Sequence, residues 1–422
     1  MSFWSMHQNI KIRIITSFFT RTVYTMIFPF MAIYFSTTLG SSLAGTLLLI
    51  NVCASIIVGL YGGYIADQLG RKKIMLVGQA MQFTGVVSMG ICISPYVNSP
   101  WLTFCFMLVH SLGTGLMSPA IEAMLIDVST PENRKMMYAI NYWCINLSMA
   151  IGALLGGLLY EQYRTQLFIT LSIVSALTFI MLALCIEEVY VAEKKVQQKN
   201  ILKNIASSYK VVIKDRAYIC FCLAFLCTLG LEFQVTNYIG IRLEQEFQTL
   251  QFTLWNGTTF DLTGIRMLSW ISAENTLLIV LFSVLAVKIV KGFKEENVLF
   301  VGVFIFTLGF AIVGSSNNVW ILLLAVFLYT IGEMMYAPVR QSILAAHVPE
   351  NARSSYMAIG GLIFHGAGIM GALGVLLGSI IPSFGMSIVY FVIGVVGMLL
   401  FMKGVQLYKQ KDANTENMVK SI

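Results

Sequence analysis

Six ionisable side chains lie inside long runs of apolar residues. They are Arg21, Glu122, Glu232, Glu274, Glu333 and Arg340. On insertion scales each such charge costs about 2.5–3.5 kcal/mol at the centre of a membrane-spanning helix, so these groups are expected to face one another or a wet interior. Carboxylates in such a place can take up and release protons, and groups of opposite charge can pair.

Glu333 has surroundings that suit proton exchange. Glu333 and Arg340 are seven residues apart and so share one face of a helix, with Tyr329 and Tyr336 beside them. A carboxyl group among aromatic and aliphatic side chains is suited to exchanging a proton near neutral pH, and the rings can stack on a lipophilic substrate. The alternative is a structural ion pair that only holds two helices in register.

The composition places these charges in a membrane protein. Of the 422 residues, 57% are hydrophobic and only 11% are charged, whereas soluble domains have about 25% charged residues. So few charges cannot cover a soluble surface. The basic residues form no patch interleaved with aromatic residues, so no nucleic-acid partner is expected.

Twelve apolar runs follow one another along the chain, each long enough to cross a bilayer as a helix of about 20 residues. They cover residues 12–35, 43–66, 73–93, 101–126, 137–160, 165–186, 217–240, 268–290, 297–315, 319–344, 355–380 and 384–405. The runs are too long and too uniformly apolar for the strands of a membrane barrel. The sequence therefore predicts an all-α integral membrane fold with twelve transmembrane helices in two six-helix pseudo-symmetric bundles.

The basic residues predict the orientation of these helices. If both termini are cytoplasmic, 22 of the 27 Lys and Arg residues lie inside, three lie outside and two lie within helices. Since such residues accumulate on the cytoplasmic side, we expect a multi-pass protein of the cell's inner or plasma membrane with both termini cytoplasmic. A polar stretch predicts the division into bundle 1–186, cytoplasmic linker 187–216 and bundle 217–422, which ends in a short cytoplasmic tail.

The two halves carry an internal repeat. Gly113 precedes Pro119 by six residues in the first half, and Gly332 precedes Pro338 by six residues in the second. Repeated six-helix units are typical of secondary transporters whose halves enclose a site near the membrane midplane. The repeat makes two proposed ion pairs pseudo-symmetric, namely Arg21 with Glu122 and Arg340 with Glu232.

A glycine-rich segment joins the second and third apolar runs. It reads Gly63-Tyr-Ile-Ala-Asp67-Gln-Leu-Gly70-Arg71-Lys72-Lys73. Its glycines allow a sharp turn and close approach of helix ends, and its Asp can pair with the following Arg or accept from a helix N-terminus. The alternative is a short basic loop that only enforces topology.

This segment resembles the inner-loop signature of the major facilitator superfamily, with Gln68 where a basic residue is usual. Residues 152–157 resemble the antiporter signature of the superfamily's drug exporters, with Ala153 in place of proline, and residues 123–127, 141–143, 266–268 and 329–333 are similar to counterparts in that drug/proton antiporter branch. The resemblance implies that Gly63, Asp67, Gly70, Arg71 and Lys72 gate the cytoplasmic side. It also implies that Asp67, Asp127 and Glu333 belong to the proton-coupling and gating carboxylates. Asn141 and Thr236 stand where the branch has two further acids.

These observations predict a secondary active transporter that exports small lipophilic compounds, cations among them, by proton antiport and alternating access. The expected proton-coupling residues are Glu333, Asp127, Glu232 and Glu122. The expected substrate cavity contains Arg21, Tyr24, Glu122, Glu232, Tyr329, Glu333, Tyr336 and Arg340. We expect no metal and no cofactor, since the proton gradient supplies the energy, and a monomer surrounded by membrane lipid.

Three alternatives remain open on the same scaffold. The first is a dedicated transporter of a lipid, metabolite or peptide, which the intramembrane Arg and Glu residues favour because a hydrophobic-drug cavity does not require them. The second is a membrane-embedded enzyme, against which stand the lack of a nucleotide motif and of zinc spacing among the eight cysteines. The third is a sensor that does not transport, but no appended soluble segment indicates one.

Overall fold

The computed structural model describes residues 3–189, 212–253, 259–290, 292–347 and 353–420. It forms two compact units, residues 1–196 with 249–276, and residues 197–248 with 277–422. Most of the predicted linker 187–216 lies outside the described residues, so its role as a divider stays a prediction.

The first unit is built mainly from helices. They are α1 (Gln8–Thr25), α2 (Met31–Leu39), α3 (Ser41–Leu69), α4 (Arg71–Ile93), α5 (Pro100–Asp127) and α6 (Pro131–Cys185), with short 3-10 helices at Phe3–Ser5 and Phe28–Phe30. Helix α5 packs against α3 and α4, and α6 packs against α1 and α4. This packing places polar residues of α1 and α5 in one unit.

The chain continues from Arg216 through further helices and one hairpin. The elements are α7 (Arg216–Gln234), a π-helix (Val235–Ile239), α8 (Gly240–Glu246), β1 (Leu250–Thr253), β2 (Thr259–Leu262), α9 (Gly264–Val290), α10 (Glu295–Val313), α11 (Val319–His347), α12 (Arg353–Gly378) and α13 (Ser383–Lys420). In the second unit α7 packs against α12 and α13, and α10 packs against α11 and α13. The hairpin β1–β2 and the first half of α9 belong to the first unit.

The predicted all-helical membrane fold is confirmed. Ten described helices are long and apolar enough to cross a membrane. One of them, Met136–Cys185, covers two predicted spans and leaves helical geometry at Tyr163 (φ −122°, ψ 29°). The shorter apolar helix Leu362–Gly378 occupies the eleventh predicted span. Each of the twelve predicted spans therefore contains helix.

One predicted span requires correction. The run 12–35 is not one continuous helix, because α1 ends at Thr25 and Pro29 lies in a 3-10 helix before α2 begins. Proline lacks the backbone N–H that would continue the hydrogen-bond ladder and disfavours helix at the residue before it. Between α8 and α9, strands β1 and β2 form an antiparallel hairpin in which Leu250 pairs with Leu262.

The internal repeat appears in the packing as two glycine crossings. A Cβ on Gly113 of α5 would lie 2.6 Å from the carbonyl oxygen of Gly78 on α4. In the second unit, a Cβ on Gly332 of α11 would lie 2.5 Å from the carbonyl oxygen of Gly302 on α10. The backbones of each helix pair therefore touch at the repeat's glycine.

Candidate functional site

A cluster of polar side chains lies within the second unit, between α7 and α11. Glu232 comes from the last turn of α7, just before the π-helix, and Tyr336 comes from α11. The Tyr336 hydroxyl donates a hydrogen bond to Glu232 Oε1 over 3.1 Å, and the tyrosine is only 1% exposed. This bond fixes one oxygen of the Glu232 carboxylate between the apolar helices α7 and α11.

Two further charges act on the same carboxylate. Glu232 interacts electrostatically with both Glu333 and Arg340 of α11. The cluster thus contains two acids and one base, which sum to one negative charge when all are ionised. Within such a group, the arrival of a proton or a cationic substrate changes the balance of charge.

The predicted ion pair between Arg340 and Glu232 is not formed. Among the described residues, no side-chain nitrogen of Arg340 lies within 4.0 Å of an oxygen of Glu232. Instead, the Arg340 guanidinium carbon lies 3.5 Å from the centroid of the Phe225 ring on α7. A cation–π contact therefore holds the guanidinium, and the carboxylate acts on it from a longer distance.

The tyrosines of this cluster face a neighbouring helix. Tyr329 packs against Phe310 of α10 with ring centroids 4.5 Å apart, and Tyr336 packs against Phe306 at 5.3 Å. Both rings are buried. In this structure they pack the interface between α10 and α11, and their contact with substrate stays a prediction.

Polar residues of α1 and α5 form a second cluster, in the first unit. Arg13 interacts electrostatically with both Glu122 and Arg21. In the described part of the chain no ion pair within 4.0 Å joins Arg21 to Glu122, so this predicted pair is not formed either. Arg13 is not among the residues that the sequence predicted for the site. Its spacing of eight from Arg21, which places both on one helical face, was the signal that it belongs with the cluster.

The glycine-rich segment forms the junction of α3 and α4. Gly70 has φ +96°, a conformation that side chains with a Cβ rarely adopt, so the turn requires glycine. Arg71 is buried and forms an ion pair with Asp127 at the end of α5, with Nε and Oδ2 2.7 Å apart. The side-chain surroundings of Gly63 and Asp67 on α3 lie outside the described residues.

Glu188 completes this junction. Its Oε2 accepts a hydrogen bond from the backbone N–H of Lys72 over 2.8 Å, in the first turn of α4. A carboxylate at this position is favoured by the partial positive charge of a helix N-terminus. Sequence reasoning placed Glu188 in the polar linker, and no spacing pointed to this contact.

The sequence profile of the Major Facilitator Superfamily matches residues 14–265 and 247–417 of this chain. The chain belongs to the Major Facilitator Superfamily. The resemblance of the glycine-rich segment to the superfamily's inner-loop signature is thereby supported by nearly the whole chain. The protein is accordingly a multi-pass membrane transporter and not an enzyme.

Several members of the superfamily are similar in sequence. A Na(+), Li(+), K(+)/H(+) antiporter of Planococcus maritimus is 30% identical over 364 residues, which cover 84% of this chain and 86% of that protein. The multidrug resistance protein MdtH of Shigella flexneri is 25% identical over 397 residues, covering 92% and 91% of the two chains.

Solved structures of other superfamily transporters share the fold. A POT family transporter in complex with 5-aminolevulinic acid matches with a TM-score of 0.73 at 16% identity, covering 97% of this chain and 98% of that one. The nucleoside transporter NupG matches with a TM-score of 0.67 at 14% identity, covering 96% and 100%. At these identities the likeness concerns the fold alone.

Proposed function

We propose that this protein is a proton-coupled antiporter that exports small lipophilic compounds across the cell membrane. The observation that carries the proposal is the carboxylate pair Glu232 and Glu333, which interact electrostatically inside membrane-spanning helices of the second unit. Two neighbouring carboxylates in apolar surroundings repel one another, so a proton or a positively charged substrate group relieves the repulsion. Proton and substrate then compete for one site.

This competition couples the movement of protons to the movement of substrate. A proton on the pair favours one facing state of the transporter and substrate favours the other, and linkage makes the two effects reciprocal. Tyr336 orients Glu232 through its hydrogen bond, and the charge of Arg340 acts electrostatically on the same carboxylate. The names of two relatives, a cation/H(+) antiporter and a multidrug resistance protein, agree with this class of transport.

A second candidate is exchange of alkali-metal cations for protons. The antiporter from Planococcus maritimus favours it, as does the collection of carboxylate and hydroxyl oxygens around Glu232. Hard cations prefer oxygen ligands. In this alternative the same pair of carboxylates holds the metal cation in place of the lipophilic substrate.

Transport in proteoliposomes with an imposed proton gradient distinguishes these possibilities. We expect the gradient to drive accumulation of lipophilic rhodamine dyes, and we expect Glu333→Gln and Glu232→Gln each to abolish it while dye binding stays measurable. Glu296→Gln is the matched control, because Glu296 pairs with Lys409 outside the cluster. Gradient-driven transport at the wild-type rate in both cluster variants would refute the assignment. Proton movement driven by Na+, Li+ or K+ without dye transport would favour the second candidate.

A further inference from the structure

Three aromatic rings stack on one another in the first unit. Tyr24 of α1 and Phe28 lie nearly parallel, with centroids 3.9 Å apart and an angle of 14° between the rings. His110 of α5 adds a third ring, 4.7 Å from Phe28 and 5.8 Å from Tyr24. His110 is 6% exposed but Tyr24 is 39% exposed, so the tyrosine end of the stack is accessible.

The stack continues into a polar face on both helices. On α1, Arg13, Arg21 and Tyr24 recur at spacings of eight and three residues, which places them on one side of the helix. On α5, Thr114 follows His110 by one helical turn, and Thr114 Oγ1 accepts a hydrogen bond from Gln82 Nε2 over 2.8 Å. Because charged side chains avoid lipid, this face is turned to a wet interior.

The charges on this face do not cancel. Arg13 interacts electrostatically with Glu122 and with Arg21. In the described part of the chain, the Arg21 guanidinium forms no ion pair within 4.0 Å and donates no hydrogen bond. Arg21 is therefore an exposed cation whose N–H donors are free to bind a ligand.

We propose that Arg21, Tyr24, Phe28 and His110 form a binding site for the carboxylate-bearing part of a planar aromatic substrate. The substrate ring adds to the stack at its tyrosine end, and the Arg21 fork binds the carboxylate with two parallel hydrogen bonds. Residues three apart on a helix are about 5–6 Å apart at Cβ, a separation that a ring and its carboxylate span. The inference rests on the proposed function and narrows the lipophilic substrates to aromatic compounds that carry a carboxylate as well as a positively charged group.

Equilibrium binding in detergent, without a proton gradient, tests this site with two dyes that share one xanthene ring system. Rhodamine 110 carries a free carboxylate and rhodamine 123 is its methyl ester. We expect the wild type to bind rhodamine 110 about tenfold more tightly, the difference that a charge-assisted hydrogen bond typically makes. Arg21→Gln should remove the preference, and Arg21→Lys should retain part of it because the charge remains.

The stacking half of the site has its own variants. Tyr24→Ala should weaken binding of both dyes about three- to tenfold, the range for a lost aromatic pair, and Tyr24→Phe should restore it. Tyr96→Ala and Lys73→Gln are controls, because both residues are exposed away from the stack. Arg21→Lys and Tyr24→Phe keep the test valid where a harsher variant does not fold. Unchanged dye preference in a folded Arg21 variant would overturn the proposal.

The outcome also separates this site from the proposed function. If Arg21 sets the dye preference but the proton gradient moves neither dye, the binding site stands and the antiport proposal fails. If the gradient moves both dyes but Arg21 and Tyr24 have no effect on binding, the antiport proposal stands and this site fails.

Discussion

At the scale of single residues, one buried arginine outside both clusters is held by several hydrogen bonds. Arg242 of α8 is 1% exposed. It donates to Asn317 Oδ1 over 2.6 Å and to the carbonyl oxygens of Val313 and Ser316 over 3.1 and 2.9 Å. These bonds tie α8 to the turn between α10 and α11. A guanidinium suits this position because several donors reach oxygens in fixed directions.

Arg242→Gln is therefore expected to destabilise the protein by about 3 kcal/mol, because buried carbonyl oxygens lose their donors. The measurement is the thermal unfolding midpoint in detergent. Arg216→Gln is the control, since Arg216 is exposed at the first residue of α7. Equal midpoints for the two variants would show that the buried bonds add nothing to stability.

At the scale of elements, the repeated glycines decide how closely helices approach. In the crossings of α4 with α5 and of α10 with α11, a glycine of one helix lies against a backbone carbonyl of the other, and each glycine precedes an internal proline by six residues. Apolar periodicity alone identifies the helices. Gly78 on α4 and Gly302 on α10 mark the points where these helices contact the backbones of α5 and α11.

Gly113→Ala and Gly332→Ala should each force a helix pair apart, because the added Cβ would meet a backbone oxygen at 2.6 or 2.5 Å. Overpacking of this kind costs about 1–3 kcal/mol. Gly59→Ala is the matched control, since its Cβ would lie 3.6 Å from the Gly115 oxygen, an ordinary contact. Thermal unfolding of the three variants side by side checks this. A loss in Gly59→Ala as large as in the others would contradict the close-approach explanation.

The hairpin between α8 and α9 is a second case in which contacts between distant residues decide the position of an element. The hairpin β1–β2 is held to α9 by Arg266, which donates to the Asp261 carbonyl and lies over the Phe260 ring. Glu161 of α6 accepts from Thr263 over 2.9 Å and lies 3.6 Å from Arg266. Helix α6 and the start of α9 therefore belong to one unit although they come from different halves of the sequence.

At the scale of the whole molecule, the distribution of basic residues predicts which end of each helix is cytoplasmic. In a variant without its eight cysteines, a cysteine at Gln251 should react with a membrane-impermeant maleimide in intact cells. A cysteine at Lys73 should react only after permeabilisation, because the inner loops carry most of the Lys and Arg residues. The reverse labelling pattern would refute both the orientation and the export direction built on it.

Membrane class, the twelve spans, the repeat and the superfamily signature follow from the sequence alone. Each depends on composition or on spacing along one helix, which the bilayer and the helical period convert directly into structure. Pro29 also marked the interruption of the first helix before Met31, but the run of apolar residues around it predicted one continuous span.

Only the tertiary structure decided which side chains contact one another across helices. Arg71 pairs with Asp127, Arg13 interacts with Glu122, Glu188 binds the start of α4, and Tyr336 donates to Glu232 while its ring packs on Phe306. Helical spacing states which residues share a face, but not which neighbouring helix that face meets or at what depth. That choice depends on how whole helices pack, through glycine crossings and buried bonds between residues far apart in the chain.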